Sequence, residues 1–328
     1  MNKHYPFISV ILNTYNEEKN IVRCLSCIRR QNYPQNKIEI ILVDDYSQDR
    51  TVALSKPYDI IVVNSGYKNR ERSKSIGIRH AKGEILLMMD ADVFLISDNY
   101  INRCVELLSK YPTAVATQSI RWYYHKNDYI VNRYCNLFGI SDPTMLFLGK
   151  RGSLMSTETD WPYKNTILHK GTDYYMVNFT LKDLPTVGAI GYMVRKKELM
   201  KTTWEPYFFH LDTAYELVEM GYNRFIMTKL EVEHLYVHSL CEYFQKQTRN
   251  LSLFLKLKKR RKYTYKMPVL QLIGVILLMI TLVYPLYQSV KGYMKKPDLA
   301  WFLHPFFCFA LPMMYVIIIA KEKIRKKI

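Results

Sequence analysis

The residues best placed to do chemistry are Asp90 and Asp92, spaced i, i+2 at the end of the apolar run Ile85-Leu86-Leu87-Met88-Met89. Five buried-type residues in a row predict an interior strand. Both carboxylates then sit where that strand leaves its sheet, at the ligand-binding edge of an open α/β fold. Two carboxylates fixed there suit a hard divalent cation, Mg2+ or Mn2+, which completes its shell with water and substrate phosphates. A diphosphate is the substrate that this chemistry favours. Asp-x-Asp alone is common in solvated turns, so the surrounding elements must carry the rest.

Those elements alternate. Apolar and helical patterns predict a strand at 7–12, a helix at 18–30, a strand at 38–43, a helix at 51–56, a strand at 59–63 and a helix at 73–81, ahead of the strand that ends in Asp90. Strands separated by helices imply right-handed βαβ crossovers and a mostly parallel sheet, with ligands at the carboxyl ends of the strands. Three of those ends are polar: Asn13-Thr14-Tyr15-Asn16-Glu17-Glu18, Asp44-Asp45-Tyr46-Ser47-Gln48-Asp49 and Asp90-Ala91-Asp92. Bringing their acids together is costly unless a ligand or cation receives them. Capping of the following helices by Asn16, Ser47 or Asp49 accounts for part of the pattern.

Charge locates the chain. Of a formal net charge of +18, a net +13 falls from Lys256 onward, where 15 Lys and Arg face two acids. Two uncharged stretches, 267–290 and 299–320, lie within that tail. Each is long enough to span a bilayer, which takes about 20 apolar residues. Basic residues cluster before the first stretch and after the second. The positive-inside rule therefore predicts a transmembrane hairpin with both ends cytoplasmic. The basic run fits an anionic leaflet rather than nucleic acid. Upstream, Leu240, Tyr243, Phe244, Leu251, Phe254 and Leu255 have the spacing of an amphipathic helix in the interface. Residues 1–6 lead directly into the first strand without a signal-peptide pattern, so the catalytic part is expected in the cytosol. Cys24 and Cys27 have redox or zinc spacing without a second such pair, and are expected to be reduced helix residues. His234 and His238 lack the glutamate of a zinc-protease signature.

Four ordered segments carry a more specific signal. Val10-Ile11-Leu12-Asn13-Thr14-Tyr15-Asn16-Glu17 is an opening strand with a Tyr-Asn-Glu turn. Val43-Asp44-Asp45-Tyr46-Ser47-Gln48-Asp49 follows the pattern Val-Asp-Asp-Gly-Ser-x-Asp, with Tyr46 in place of glycine. Ser73-Lys74-Ser75-Ile76-Gly77 and Ala81-Lys82-Gly83-Glu84 are similar to Ala-Arg-Asn-x-Gly and Ala-x-Gly-Glu, with Lys74 and Ser75 departing. With Asp90-Ala91-Asp92 after them, these segments resemble a family 2 glycosyltransferase of the GT-A fold.

The resemblance implies a fold, a donor and site residues. The fold is α/β, a Rossmann-like sheet flanked by helices. Thr14, Tyr15, Glu17, Asp44, Asp45, Lys74, Asp90 and Ala91 would hold the nucleotide, with Lys74 as a point charge where the family has arginine. Asp92, with Asp90 and His234, would hold Mn2+ or Mg2+. Asp212, in Phe209-His210-Leu211-Asp212-Thr213, stands where the family keeps its general base, with Leu211 replacing a glutamate. Its capping role at a helix start can coexist with that. Gly188 and Ala189 resemble the small-residue loop under the acceptor. Trp161 belongs to an aromatic-rich insertion expected to set acceptor specificity.

The expected organisation is a catalytic domain at 1–236, divided into a nucleotide-sugar half (1–110) and an acceptor half (111–236). An interfacial segment at 237–266, two membrane helices at 267–320 and a basic cytoplasmic tail at 321–328 follow. The expected activity is inverting, metal-dependent transfer from a nucleotide-diphosphate sugar, with UDP the favoured nucleotide, to a membrane-associated acceptor such as a polyprenyl-diphosphate-linked saccharide. The expected location is the cytoplasmic face of the cell membrane. Transfer to a polyprenyl monophosphate, processive polysaccharide synthesis and a noncatalytic nucleotide-sugar scaffold remain open. The segment Gln245-Lys246-Gln247-Thr248-Arg249-Asn250 lacks the Gln-x-x-Arg-Trp of processive synthases.

Overall fold

A computed structural model describes residues 4–188, 190–263 and 268–325. The expectations for Ala189, Lys266, Met267 and residues 326–328 fall outside these. The described residues form two compact units: one runs up to Tyr123 and resumes over Trp161–His234, and the other joins Tyr124–Asp160 to Leu235 and beyond. Part of the expected 111–236 half thus groups with the C-terminal helices.

The first unit is built on one ten-stranded sheet. Its strands are β1 Ile8–Thr14, β2 Ile38–Asp44, β3 Ile61–Asn64, β4 Ile85–Asp90, β5 Val93–Leu95, β6 Ala116–Trp122, β7 Ile167–Lys170, β8 Tyr174–Asn178, β9 Tyr192–Arg195 and β10 Arg224–His234. Their order is β3-β2-β1-β4-β9-β6-β10-β8-β7, with β5 paired to β10. β1 is buried throughout and β4 up to Asp90, as continuous apolar strands require. β1 to β4 are parallel, and their register pairs Thr14 with Asp44, Asp44 with Asn64 and Asn13 with Asp90. In-register parallel strands end together, which delivers the polar tips to one edge.

Beyond β4 the sheet is mixed, not mostly parallel. β9 runs antiparallel to both β4 and β6, and β5, β7 and β8 have antiparallel partners. A parallel neighbour needs a crossover of a dozen or so residues. The link from β7 to β8 is far shorter than that. Local chemistry also moves two expected boundaries. Asn69 accepts a hydrogen bond from Arg72 N at 3.1 Å, which starts the helix Arg70–His80 ahead of residue 73. Asp59 takes a left-handed conformation, φ 47°, and delays β3 to Ile61.

The second unit is helical. Helix Leu240–Leu257 opens at Ser239, whose hydroxyl accepts from Glu242 N, while the Glu242 carboxylate accepts from His238 N at 2.7 Å. This is a near-reciprocal N-terminal cap. Its Tyr243 and Gln247 are buried and both donate to the Ser141 carbonyl, at 2.8 and 2.7 Å.

The expected first span is in two pieces. Helices Val269–Ile280 and Val283–Lys295 meet at a 59° bend. Leu282 is left-handed there, φ 62°, and Pro285 falls in the first turn of the second piece, where its missing N–H needs no partner. Among the described residues one helix, Leu299–Glu322, is long and apolar enough to cross a membrane, and the bent pair passes only if counted as one span. Many large apolar side chains there are exposed, Leu270 at 82% and Met294 at 78% among them. Exposed apolar surface on this scale marks an interaction face.

Candidate active site

The two loops after β1 and β2 are laced together through side chain to backbone bonds. Asn16 N donates to Ser47 Oγ (2.9 Å), Gln48 N to Asn16 Oδ1 (2.8 Å), Glu17 N to Thr51 Oγ1 (2.7 Å) and Glu18 N to Asp49 Oδ2 (3.0 Å). Asp44 accepts from Ser47 N at 2.9 Å, from Ser47 Oγ at 2.6 Å and from Thr14 Oγ1 at 3.2 Å. Asp45 is buried and accepts from the hydroxyls of Ser65 and Ser73. Burial pushes its carboxyl above the usual carboxylate range, against the pull of those two hydroxyls. Backbone and hydroxyl donors therefore receive much of the acidic charge that would otherwise demand a cation. Tyr15 stays exposed at the rim, and Glu17, half-buried, accepts from Asn20 Nδ2 at 2.7 Å.

The tip of β4 divides its two carboxylates. Asp90 faces two cations of helix Arg70–His80: Lys74 Nζ lies 3.0 Å from one oxygen and Arg70 Nη1 3.5 Å from the other. Burial would raise the Asp90 carboxyl, but Lys74 and Arg70 outweigh it and hold the group well below the usual range. Ala91 is buried. Asp92 lies 3.7 Å from His234 Nε2, both side chains being mostly buried. Register explains that meeting: β5 begins immediately after Asp92 and pairs antiparallel with β10, setting Val93 opposite His234. The Trp122 ring stands edge-on to His234 at 5.5 Å between centroids. Next to His234, Glu233 is held by a two-point bond from Arg23.

The acceptor-loop glycines have steric reasons. Gly188 is left-handed, φ 96°, and a Cβ there would come 2.7 Å from the His210 Cβ, so the loop lies against the first turn of helix His210–Glu219. Gly191, φ 57°, leaves room for the Tyr100 hydroxyl, which donates to its carbonyl at 2.7 Å. Asp212 is buried in that same first turn. The pairing of β4 with β9 stops at Met88 opposite Tyr192. The Gly188–Gly191 loop and the Asp90 tip therefore leave the sheet at the same edge.

Trp161 is not brought there. It is fully buried, its indole N–H donating to Thr166 at 3.2 Å and its ring packing against Phe179, which in turn packs on Phe225. Phe225 lies near the start of β10 and His234 closes it. At about 3.3 Å per residue these lie roughly 30 Å apart. An apolar ring with a satisfied N–H at that depth belongs to the core, and Trp122 is the aromatic of this region that meets the site.

The family description Glycosyl transferase family 2 matches residues 9–172, half of the 328-residue chain. This chain belongs to glycosyl transferase family 2. It is 33% identical over 98 residues to Glycosyltransferase AglE of Haloferax volcanii, covering 28% of this chain and 32% of that protein. It is also 33% identical over 103 residues to poly(ribitol-phosphate) beta-N-acetylglucosaminyltransferase TarS of Staphylococcus aureus, covering 29% of this chain and 17% of that one. The chain thus spans a third or less of the length of these curated relatives. The structure of the mannosyltransferase PcManGT from Pyrobaculum calidifontis, solved with GDP-Man and Mn2+, superposes with a TM-score of 0.56 over 95% of this chain and 88% of that one at 17% identity. That likeness shows a shared GT-A fold.

Against the family 2 pattern, the departures become structural. Tyr46 occupies the glycine position and keeps its left-handed backbone, φ 64°. Ser73 and Ser75, at alanine and asparagine positions, donate to Asp45 and to the Pro206 carbonyl. Family membership implies a divalent ion, and the donor chemistry fits one. The Asp92 carboxylate and the His234 imidazole are close enough to touch one small cation, while no group of three His, Cys, Asp or Glu among the described residues could hold it alone. Water and substrate phosphates would complete such a shell. Arg70 is a site residue that the sequence reading did not single out. Arg70 carried a readable signal, since it precedes Lys74 by four residues on one helix face.

Proposed function

We propose that this chain transfers a sugar from a nucleotide diphosphate, with inversion at the anomeric carbon, to a hydroxyl of a membrane-associated acceptor. The observation that carries this reading is the division of labour at the β4 tip. Asp92 stands with His234 as a donor pair for a cation, and Asp90 stands with Lys74 and Arg70 as a cationic seat for phosphate. A divalent ion held by Asp92 and His234 would supply Lewis-acid stabilisation to the leaving diphosphate. Thr14, Tyr15, Glu17, Asp44 and Asp45 form the nucleotide rim. Asp212 accepts the proton of the acceptor hydroxyl as its oxygen bonds to the anomeric carbon, and the bonding pair of the broken C–O bond leaves on the diphosphate. Gly188 lets its loop lie against the first turn that carries Asp212, beside the proposed acceptor position.

A UDP sugar is the first donor proposed, and the GDP-Man of the Pyrobaculum neighbour makes a GDP sugar the second. The poly(ribitol-phosphate) acceptor in the TarS name supports an alcohol acceptor. A polyprenyl-diphosphate-linked saccharide fits a chain that also carries a membrane-competent helix and a basic run at 256–262. The density of Lys and Arg beside the apolar segments supports a cytoplasmic position for the catalytic unit. Thermal unfolding with Mn2+ and a panel of nucleoside diphosphates tests the reading. Wild type should be stabilised by one of them only with metal, and Asp92→Asn should lose that gain. Stabilisation undiminished in Asp92→Asn contradicts the metal role.

A further inference from the structure

Helix Arg70–His80 carries a feature that the family pattern does not describe. The pattern has arginine where this chain has Lys74, and a lysine offers a point charge rather than a two-pronged donor. One turn earlier on the same face stands Arg70. The two side chains converge on one carboxylate, Lys74 on Oδ1 of Asp90 at 3.0 Å and Arg70 on Oδ2 at 3.5 Å. Their surroundings differ. Lys74 is 8% exposed, whereas Arg70 is 42% exposed. Arg72, between them in sequence, stacks on the Tyr67 ring at 3.3 Å and faces elsewhere.

We propose that Arg70 supplies the planar, two-point phosphate contact missing at position 74, so that Arg70 and Lys74 together clamp the donor's diphosphate and Asp90 holds them in place until it binds. The inference rests on the nucleotide-sugar reading. A carboxylate spanned by both cations is the right shape and sign for a stand-in: a phosphate presents the same pair of oxygens with more charge. The guanidinium is exposed enough to follow the ligand, and the buried Lys74 is not.

The clamp predicts a split that a structural role does not. The probes are UDP and UMP, with GDP and GMP as the second pair, titrated in the presence of Mn2+ into the full chain in detergent. Arg70→Ala should weaken the diphosphate roughly tenfold to a hundredfold, the range of a lost charged hydrogen bond, and leave the monophosphate within about twofold. Arg70→Lys should restore part of the diphosphate affinity, since it returns charge without the fork. Unfolding temperatures separate this from damage to the fold: loss of both affinities together with stability makes Arg70 a structural residue and overturns the clamp. Equal diphosphate affinity in Arg70→Ala and wild type also overturns it. A wild type that binds neither diphosphate overturns the nucleotide-sugar reading, and the clamp with it.

Discussion

Tyr46 is the residue at which sequence and backbone disagree most openly. It is a bulky residue at φ 64°, in a turn where the family pattern has glycine. A left-handed backbone costs a non-glycine residue about 1–2 kcal/mol. Its ring is 46% exposed, so packing offsets little of this. Tyr46→Gly should therefore raise the unfolding temperature, by roughly 1 kcal/mol of stability after the glycine's greater freedom in the unfolded chain is deducted. A lower unfolding temperature would mean that the ring contributes packing not expected of a half-exposed side chain. At this scale the clustering of acids and hydroxyls at three strand ends is readable in the sequence. Partner choice is less readable. That Asp44 and Asp49 bond to backbone N–H groups while Asp90 pairs with two cations depends on loop conformations that residue type leaves open. Trp161 shows the converse. Its aromatic-rich insertion is expected to set acceptor specificity, but its N–H finds Thr166 inside the core.

Elements explain why Asp92 meets His234. The two are far apart in sequence and joined by a three-residue strand, β5, paired antiparallel with β10. Such a short strand leaves no periodic signal, whereas β1, β2 and β4 are long apolar runs that announce themselves. The same applies to the break at Leu282: Pro285 hints at it, but hydropathy alone reads one continuous span. A second element contact outside the site has a pH signature. Arg103, on helix Tyr100–Lys110, makes a two-point bond to Asp173 in the β7–β8 turn, both at 2.8 Å. Hydrogen bonding by Arg103 holds the Asp173 carboxyl below its usual range. A depressed carboxylate stabilises the fold fully above its unfolded value, near pH 4, and loses that contribution as pH falls below it. Arg103→Met should cost about 1 kcal/mol at neutral pH, a figure reduced for partial exposure, and progressively less as pH falls below about 4. Thermal unfolding of both proteins across that range checks it. A gap that persists at acid pH would assign the loss to packing of the arginine stem.

At the scale of the whole chain, an α/β unit that gathers ligating and cationic side chains at one sheet edge is covalently joined to a helical unit with exposed apolar faces. The alternation of strands and helices, the family motifs and the apolar tail were all legible. The mixed half of the sheet was not, because β9 takes its place between β4 and β6 through contacts distant in sequence. Nor was the grouping of Tyr124–Asp160 with the tail, which depends on contacts such as the bond from the Tyr124 hydroxyl to Asp298. The central claim is that Asp92 helps a divalent ion activate a nucleotide-sugar donor. The most direct measurement is release of nucleoside diphosphate from a panel of UDP and GDP sugars by membranes carrying the full chain, with Mn2+ or with EDTA, for wild type and Asp92→Asn. The account predicts release from at least one donor that requires metal and falls by two orders of magnitude or so in Asp92→Asn. Release that is indifferent to EDTA and unchanged in Asp92→Asn would contradict it.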